Sequence, residues 1–113
     1  MTIKEHIKDC CAILELKGKL MGGPDSQTLH DKIKGLIGDG IKNVVIDLGK
    51  VKWMNSSGLG ALMAALTTLR NAGGDLKLAN VTQKIESLLL ITKLITVFET
   101  YETVDRAVSS LSK

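Results

Sequence analysis

Aromatic residues are scarce in this sequence: Trp53, Phe98 and Tyr101 are the only three among 113 residues. Proteins that bind single-stranded nucleic acid stack bases on aromatic side chains, so the scarcity argues against such platforms. The 15 basic and 12 acidic residues leave a net charge of only +3, and the lysines are scattered along the chain. We therefore expect no nucleic-acid partner.

Cysteine and histidine are also rare, and neither is placed for chemistry. Cys10 and Cys11 are adjacent, and on a strand they would point to opposite faces, which opposes a disulfide between them. We interpret both as small core-filling residues in a reducing compartment. The only histidines, His6 and His30, have no cysteine or carboxylate at metal-ligand spacing, so we expect two solvated surface residues and no metal site.

Long apolar runs are absent too. The longest, from Ala61 to Leu66, is far too short to cross a bilayer, and residues 2–6 lack the apolar core of a signal peptide. Apolar residues still make up 44% of the chain, enough for a core that needs no metal or disulfide. We expect one soluble domain over residues 1–113, cytoplasmic and not inserted in a membrane.

What the sequence does contain is a regular succession of strand and helix patterns. Residues 2–8 and 10–16 predict a hairpin with a tight turn at residues 8–9. Gly18 is expected to end the second strand, and residues 19–24 are predicted to form a flexible loop.

Four helices and three further strands are predicted after this hairpin. Asp25 or Ser26 is expected to cap the first helix, Thr82 the third and Thr103 the fourth, and the second is expected over about residues 57–72. The apolar stripes are Leu29, Ile33, Leu36 and Ile37, then Leu59, Leu62, Met63, Leu66 and Leu69, then Ile85, Leu88 and Leu89 with Ile91 as a further candidate, and finally Val104, Ala107, Val108 and Leu111. The strands are expected over residues 43–48, 76–79 and 97–101.

This alternation indicates the fold class. Val44, Val45 and Ile46 show no polar alternation, which is typical of a strand buried on both faces. Strictly alternating strands and helices need crossover connections, which favour parallel pairing. The sequence predicts an α/β domain with a four- to five-stranded, mainly parallel sheet, an antiparallel edge strand and about four helices.

The polar turn after the central strand is the strongest functional signal. Asn55, Ser56 or Ser57 could cap the following helix, and we expect Ser57 to be the cap. Capping does not explain Gly58 and Gly60, since glycine in a helix costs about 1 kcal/mol relative to alanine. Two broken local rules beside exposed hydroxyls indicate a functional site where a partner's backbone could approach.

The same helix carries a second face of small residues. Gly60, Ala61, Ala64, Ala65 and Thr68 make up this face. Tight packing on the sheet, a plain solvent face and a docking surface each fit the pattern.

Enzyme motifs do not fit this turn. Gly58 and Gly60 open a helix as in a dinucleotide fingerprint, but Met63 occupies its third glycine position. A nucleophile elbow needs glycine two residues before the serine, and neither serine of the turn has one. Asp47 is expected to accept hydrogen bonds from local backbone N–H groups. The sequence therefore predicts a protein that is not an enzyme.

The turn does suit a phosphate. An anion on Ser56 would face the N–H groups of Ser57, Gly58 and Leu59 at the positive end of the helix dipole, an interaction worth ~0.3–1 kcal/mol. Phosphorylation adds nearly two negative charges, which would repel a partner docked against the turn. Ser56 is thus predicted to be the switch of a binding site.

These residues carry a resemblance to a known family. Val45-Ile46-Asp47-Leu48 followed by Trp53-Met54-Asn55-Ser56-Ser57-Gly58-Leu59-Gly60 resembles the signature of STAS domains, specifically the bacterial anti-sigma factor antagonists. Leu16-Lys17-Gly18-Lys19-Leu20 is similar to the family's Leu-x-Gly-Glu-Leu-Asp loop. The resemblance covers nearly the whole chain and implies a four- to five-stranded sheet with helices packed on one side.

The resemblance also implies a mechanism. The unphosphorylated protein binds an anti-sigma factor that is itself a serine kinase, and a sigma factor is released. The kinase uses Mg-ATP to phosphorylate the serine that corresponds to Ser56, and a serine phosphatase reverses this. The protein itself is then a binding module without catalytic residues or a cofactor. The implied partner-binding residues are Lys19, Met21, Asn55, Ser56, Ser57, Gly58, Leu59 and Gly60.

Three residues depart from the family pattern. Asn55 stands where Asp is usual, which keeps the turn geometry but removes a charge next to the acceptor hydroxyl. Lys19 and Met21 stand where Glu and Asp are usual, so the site is less acidic, and a partner other than the usual kinase stays open.

Alternative functions and the oligomeric state also stay open. A non-switching STAS scaffold in a signalling assembly or beside a membrane transporter is one alternative. A small-molecule or nucleotide binder or enzyme is another. Residues 88–95 are apolar on more than one face, which fits either core burial or an association surface. We expect a monomer or a weak dimer.

Overall fold

The structure is a computed structural model that describes residues 1–111, which form one five-stranded sheet and four α-helices. The strands are β1 (Thr2–Lys8), β2 (Cys11–Leu20), β3 (Asn43–Met54), β4 (Asp75–Ala79) and β5 (Thr100–Tyr101). The helices are α1 (Pro24–Gly38), α2 (Ser56–Asn71), α3 (Gln83–Ile91) and α4 (Val104–Leu111), with a short 3₁₀ turn at Leu94–Thr96.

The strands lie side by side in their chain order, β1-β2-β3-β4-β5. β1 is antiparallel to β2, and the pairs β2–β3, β3–β4 and β4–β5 are parallel. The predicted mainly parallel sheet with an antiparallel edge strand is therefore confirmed. Because α1, α2 and α3 each connect a strand to its next neighbour in the same direction, right-handed crossovers place all three helices on one face.

The opposite face of the sheet is covered by α4. Side chains alternate along a strand, so Leu14 and Val44 point towards α1–α3, whereas Ile13 and Val45 point towards Ala107 of α4. The expectation of helices on one side only is wrong for α4. The prediction that β3 is buried on both faces is confirmed, because two separate apolar clusters share it.

The β1–β2 hairpin turns one residue later than predicted. Asp9 and Cys10 form the turn with positive φ angles of 52° and 66°, as a two-residue hairpin loop with the twist of its strands requires. Cys10 is therefore exposed at the hairpin tip, while Cys11 is buried in β2. The prediction that both cysteines fill the core is wrong for Cys10.

β2 and β3 are longer than their sequence patterns indicated. β2 continues past Gly18 to Leu20, and β3 continues to Met54, because Lys19 pairs with Trp53 and Leu20 with Met54 beyond irregularities in the register. The predicted loop over residues 19–24 is wrong for its first two residues, which lie in β2, and for Pro24, which begins α1. The polar turn after β3 shrinks to the single residue that precedes α2.

The start of α1 also differs from its prediction. The helix begins at Pro24 after the N-cap Gly23, and no side chain caps it. Proline is suited to the first helical position because it has no N–H to satisfy, so Asp25 and Ser26 lie inside the helix and the predicted caps are wrong.

The C-terminal elements follow the prediction only in part. Thr82 and Thr103 accept hydrogen bonds from backbone N–H groups three residues on, at 3.5 and 3.1 Å, which confirms both caps. The strand predicted over residues 97–101 is wrong for its first three residues, since only Thr100–Tyr101 pairs with β4.

Candidate functional site

Asn55 organises the start of α2. Its side-chain Oδ1 accepts a hydrogen bond from the Gly58 N–H at 2.8 Å, and its carbonyl oxygen accepts one from the Leu59 N–H at 2.9 Å. Asn55 is therefore the N-cap, and the expectation that Ser57 caps the helix is wrong. An asparagine side chain reaches the third helical N–H from the cap position, whereas Ser57 already lies inside the first turn.

Ser56 and Ser57 are left exposed at the first two positions of α2. Within residues 1–111 neither hydroxyl has a hydrogen-bond partner. Their backbone N–H groups precede the first intrahelical bonds and so have no acceptor within the helix. Of the three N–H groups expected to face an anion on Ser56, those of Gly58 and Leu59 are engaged by Asn55. The backbone N–H groups of Ser56 and Ser57 remain available to such an anion.

Gly58 and Leu59 are buried and serve the packing of α2. A Cβ atom on Gly58 would clash with the backbone carbonyl of Leu20, and Leu59 lies in the core with 1% of its surface exposed. The backbone that approaches Gly58 thus belongs to β2 of this chain, not to a partner. Gly60 is exposed, and a Cβ atom there would meet nothing within 4 Å.

The end of β2 adjoins this helix start. Gly22 has a φ of +90°, and a Cβ atom on it would lie 2.7 Å from the Cβ of Ser57. Lys19 and Met21, on either side of Leu20, are both exposed. The structure therefore brings the segment over residues 19–22 and the first turn of α2 together at one end of the sheet.

The small-residue face of α2 divides into two parts. Ala61 and Ala65 are buried in the core, while Gly60 and Ala64 are exposed and Thr68 is half-buried. Tight packing accounts for the first pair. The exposed pair continues the surface around Ser56.

Asp47 and the two histidines occupy separate surroundings in the fold. Asp47 Oδ1 accepts hydrogen bonds from the Gly49 N–H at 3.0 Å and from Asn80 Nδ2 at 3.1 Å, which confirms its predicted local role. His6 is exposed as predicted, and His30 is half-buried. Within residues 1–111 no three His, Cys, Asp or Glu side chains come together as a metal site.

Lysines near the site differ in their ion pairing. Lys50 forms an ion pair with Glu15 at 3.1 Å, and this hydrogen bond lowers the pKa of the Glu15 carboxyl. Lys19 and Lys52 are exposed and form no ion pair with any described residue. The end of the sheet that carries Ser56 therefore has two positive charges that no residue of the range 1–111 neutralises.

A cleft that the sequence reasoning did not predict lies beside this surface. Trp53 and Met54 at the end of β3 form one wall, and Ile85, Leu88 and Ile91 of α3 form the other. Its volume is about 170 Å³. The sequence feature that could have indicated this cleft is Trp53, the only tryptophan of the chain, which lies just before the motif at residues 55–60.

The model of the STAS domain family matches residues 2–107. This chain belongs to the STAS domain family. The order of strands and helices described above is the architecture of that family, and the resemblance read from residues 45–60 is thereby confirmed.

Three solved structures show the same fold as this STAS domain. An anti-sigma factor antagonist from Mycobacterium paratuberculosis aligns over 99% of this chain and 94% of its own, with 22% identity and a TM-score of 0.82. The Bacillus cell fate determinant SpoIIAA in its phosphorylated form aligns over 96% and 98%, with 17% identity and a TM-score of 0.73. A sulfate transporter family protein from Wolinella succinogenes aligns over 90% and 84%, with 18% identity and a TM-score of 0.72.

The helices of this STAS domain are short. Over residues 1–111, none combines the length and the hydropathy that a membrane crossing requires.

Proposed function

We propose that this STAS domain, residues 1–113, is an anti-sigma factor antagonist switched by phosphorylation of Ser56. The observation that carries the proposal is the exposed Ser56 hydroxyl, free of hydrogen bonds to described residues, at the first position of α2. The unphosphorylated surface binds an anti-sigma factor that is a serine kinase. Phosphorylation releases it, and a serine phosphatase restores binding.

The capping of α2 supports a switch that leaves the fold intact. Asn55 satisfies the Gly58 N–H, so a phosphate on Ser56 would not compete with the cap. The N–H groups of Ser56 and Ser57 at the positive end of the helix dipole would favour the added charge by ~0.3–1 kcal/mol. A partner packed against the same turn would meet nearly two new negative charges.

The docking surface in this proposal consists of the exposed residues around Ser56. Of the predicted partner-binding residues, Lys19, Met21, Ser57 and Gly60 are exposed and Asn55 is half-buried. Gly58 and Leu59 contribute by holding α2 against β2. The domain acts in the cytoplasm on transcription through its partner. It is a binding module that supplies no catalytic group, while the Mg-ATP belongs to the kinase.

Mass spectrometry tests the proposal directly. The chain is incubated with each purified anti-sigma factor kinase of the source organism and Mg-ATP. We expect one phosphate on Ser56 in the wild type and in Ser57→Ala, and none in Ser56→Ala. Binding of the kinase should be lost in Ser56→Asp. An unmodified Ser56, together with unchanged binding by Ser56→Asp, would rule the switch out.

A second function is favoured by one comparison. The sulfate transporter family protein shares this fold at a TM-score of 0.72, which supports a non-switching scaffold as the alternative. A complex that co-purifies equally with wild type and Ser56→Asp would support the scaffold.

A further inference from the structure

The cleft between β3 and α3 is an open apolar surface next to the Ser56 turn. We call it the Trp53 cleft; it is lined by Trp53, Met54, Ile85, Leu88 and Ile91, with Lys84 and Ser87 at its rim. Trp53 is 49% exposed and Ile91 is 80% exposed. Single exposed apolar residues are ordinary, but here two face the same cavity.

The charge at the cleft is of one sign. Lys84 is the only charged residue that lines it, and it forms no ion pair with any residue of the described chain. Glu86 of the same helix lies instead on another surface, with Asn80 and Tyr101. Lys52, which precedes Trp53, is exposed and also lacks an ion pair within residues 1–111.

We propose that the Trp53 cleft binds an acidic amphipathic segment of the partner protein, with an aliphatic side chain between Trp53 and Ile91 and a carboxylate beside Lys84. Tryptophan is enriched among the residues that dominate interface energies, because it buries much apolar area and loses little entropy. The unpaired Lys84 selects an acidic segment over a basic one, since like charges at an interface rim repel.

The proposal rests on the function proposed above and adds the chemistry of the partner. Trp53 lies three residues before Ser56, so their Cα atoms are at most about 11 Å apart. This is close to the screening length of about 8–10 Å in physiological salt. A phosphate on Ser56 would therefore repel those acidic side chains of the segment that lie at the Trp53 wall of the cleft, and more strongly at low salt.

Two matched peptides test the cleft. One is a helical peptide with leucines at i, i+3 and i+4 and flanking glutamates, and the other replaces each glutamate with lysine. The readout is the fluorescence of Trp53, the only tryptophan of the chain. We expect the acidic peptide to shift the emission to shorter wavelength and to bind about fivefold tighter, the upper range for one exposed ion pair.

Variants locate the effect. Lys84→Glu should reverse the peptide preference, whereas Lys34→Glu, an exposed lysine on α1, should leave it unchanged. Ile91→Ser should weaken the acidic peptide with the circular dichroism of the fold retained. Equal binding of both peptides, no emission change with either, or a shift that depends on protein concentration alone would overturn the proposal. The last result would point to a second copy as occupant.

The peptide experiment separates the two proposals. Preferential binding of the acidic peptide, together with no phosphorylation of Ser56 by any kinase, would support the acidic segment and rule out the switch. Phosphorylation of Ser56 by a kinase, together with equal binding of both peptides, would support the switch and rule out the acidic segment.

Discussion

Gly58 lies against the backbone carbonyl of Leu20, with no space between them for a Cβ atom. This contact joins the first turn of α2 to the end of β2 and holds the Ser56 turn in place. Glycine at position 58 is thus required by the fold, while glycine at position 60 is not.

Alanine substitution at these two glycines should have opposite effects. Gly58→Ala is expected to destabilise the domain by about 1–3 kcal/mol, as overpacking does. Gly60→Ala is expected to stabilise it by up to about 1 kcal/mol, since its site is open and alanine is the better helix former. Urea unfolding of both variants gives the two free energies. Equal effects would contradict the assignment of Gly58 to packing.

Two substitutions of Asn55 test its role as the cap of α2. Asn55→Ala leaves the Gly58 N–H without its acceptor and should cost about 1 kcal/mol of unfolding free energy. Asn55→Asp keeps the acceptor and should match or exceed wild type at neutral pH, because its charge lies at the helix N-terminus. Thermal unfolding of the three proteins measures the order. Ser57→Ala serves as the control and should change little, since its hydroxyl has no partner among the described residues.

A negative charge at position 56 should not unfold the domain. Ser56→Asp places a carboxylate at the first position of α2, where the helix dipole favours it by ~0.3–1 kcal/mol. We expect an unfolding temperature at or slightly above that of wild type, and lower partner binding. A clear fall in the unfolding temperature would mean that phosphorylation acts by local melting instead.

Lys77 and its two carboxylate partners make the stability of the fold depend on pH. It is 6% exposed and donates hydrogen bonds to Glu99 at 2.6 Å and Asp75 at 3.0 Å. Burial disfavours its charge, but these two bonds outweigh burial and raise its pKa. The hydrogen bond from Lys77 lowers the pKa of Glu99; burial opposes ionisation of Asp75, yet its bonds to Lys77 and Leu76 lower its pKa as well.

These directions fix where stability should fall. A carboxyl group whose pKa is lowered by folding stabilises the fold at pH values above its unfolded pKa of about 4. This stabilisation is lost as the pH drops through the pKa of the folded state. Because its pKa is raised, Lys77 stabilises the fold fully at pH values below its unfolded pKa of about 10.4. This stabilisation is lost as the pH rises through the pKa of the folded state. Lys77→Ala should cost about 1–2 kcal/mol at neutral pH, less than for a sealed pair because both carboxylates reach solvent. Its unfolding free energy should also vary less than that of wild type below pH 4.

Local patterns predicted the class of the fold but not the lengths of its central strands. The alternation of apolar stripes identified four helices, and Thr82 and Thr103 were recognised as caps from position alone. The extension of β2 to Leu20 was missed because it depends on pairing with Met54, a contact between segments far apart in sequence. No periodicity within residues 17–20 contains that information.

The site shows the same division between local and tertiary information. The sequence predicts a site at Ser56 and its neighbours because glycines beside serines break helix preferences locally. The reason for Gly58 was misread, since its crowding by Leu20 exists only in the folded chain. The Trp53 cleft was missed for a similar reason, because Ile91 reaches it from a separate helix.

The order of the strands has a consequence for how this domain can recognise anything. Open parallel sheets bind small ligands in a crevice that forms where the strand order reverses, because neighbouring crossover helices there diverge to opposite faces. In the described chain the order runs from β1 to β5 without a reversal, and α1, α2 and α3 stay on one face. We therefore expect recognition at the rim where strands end and helices begin, on the surface around Ser56, and not in a crevice between diverging helices.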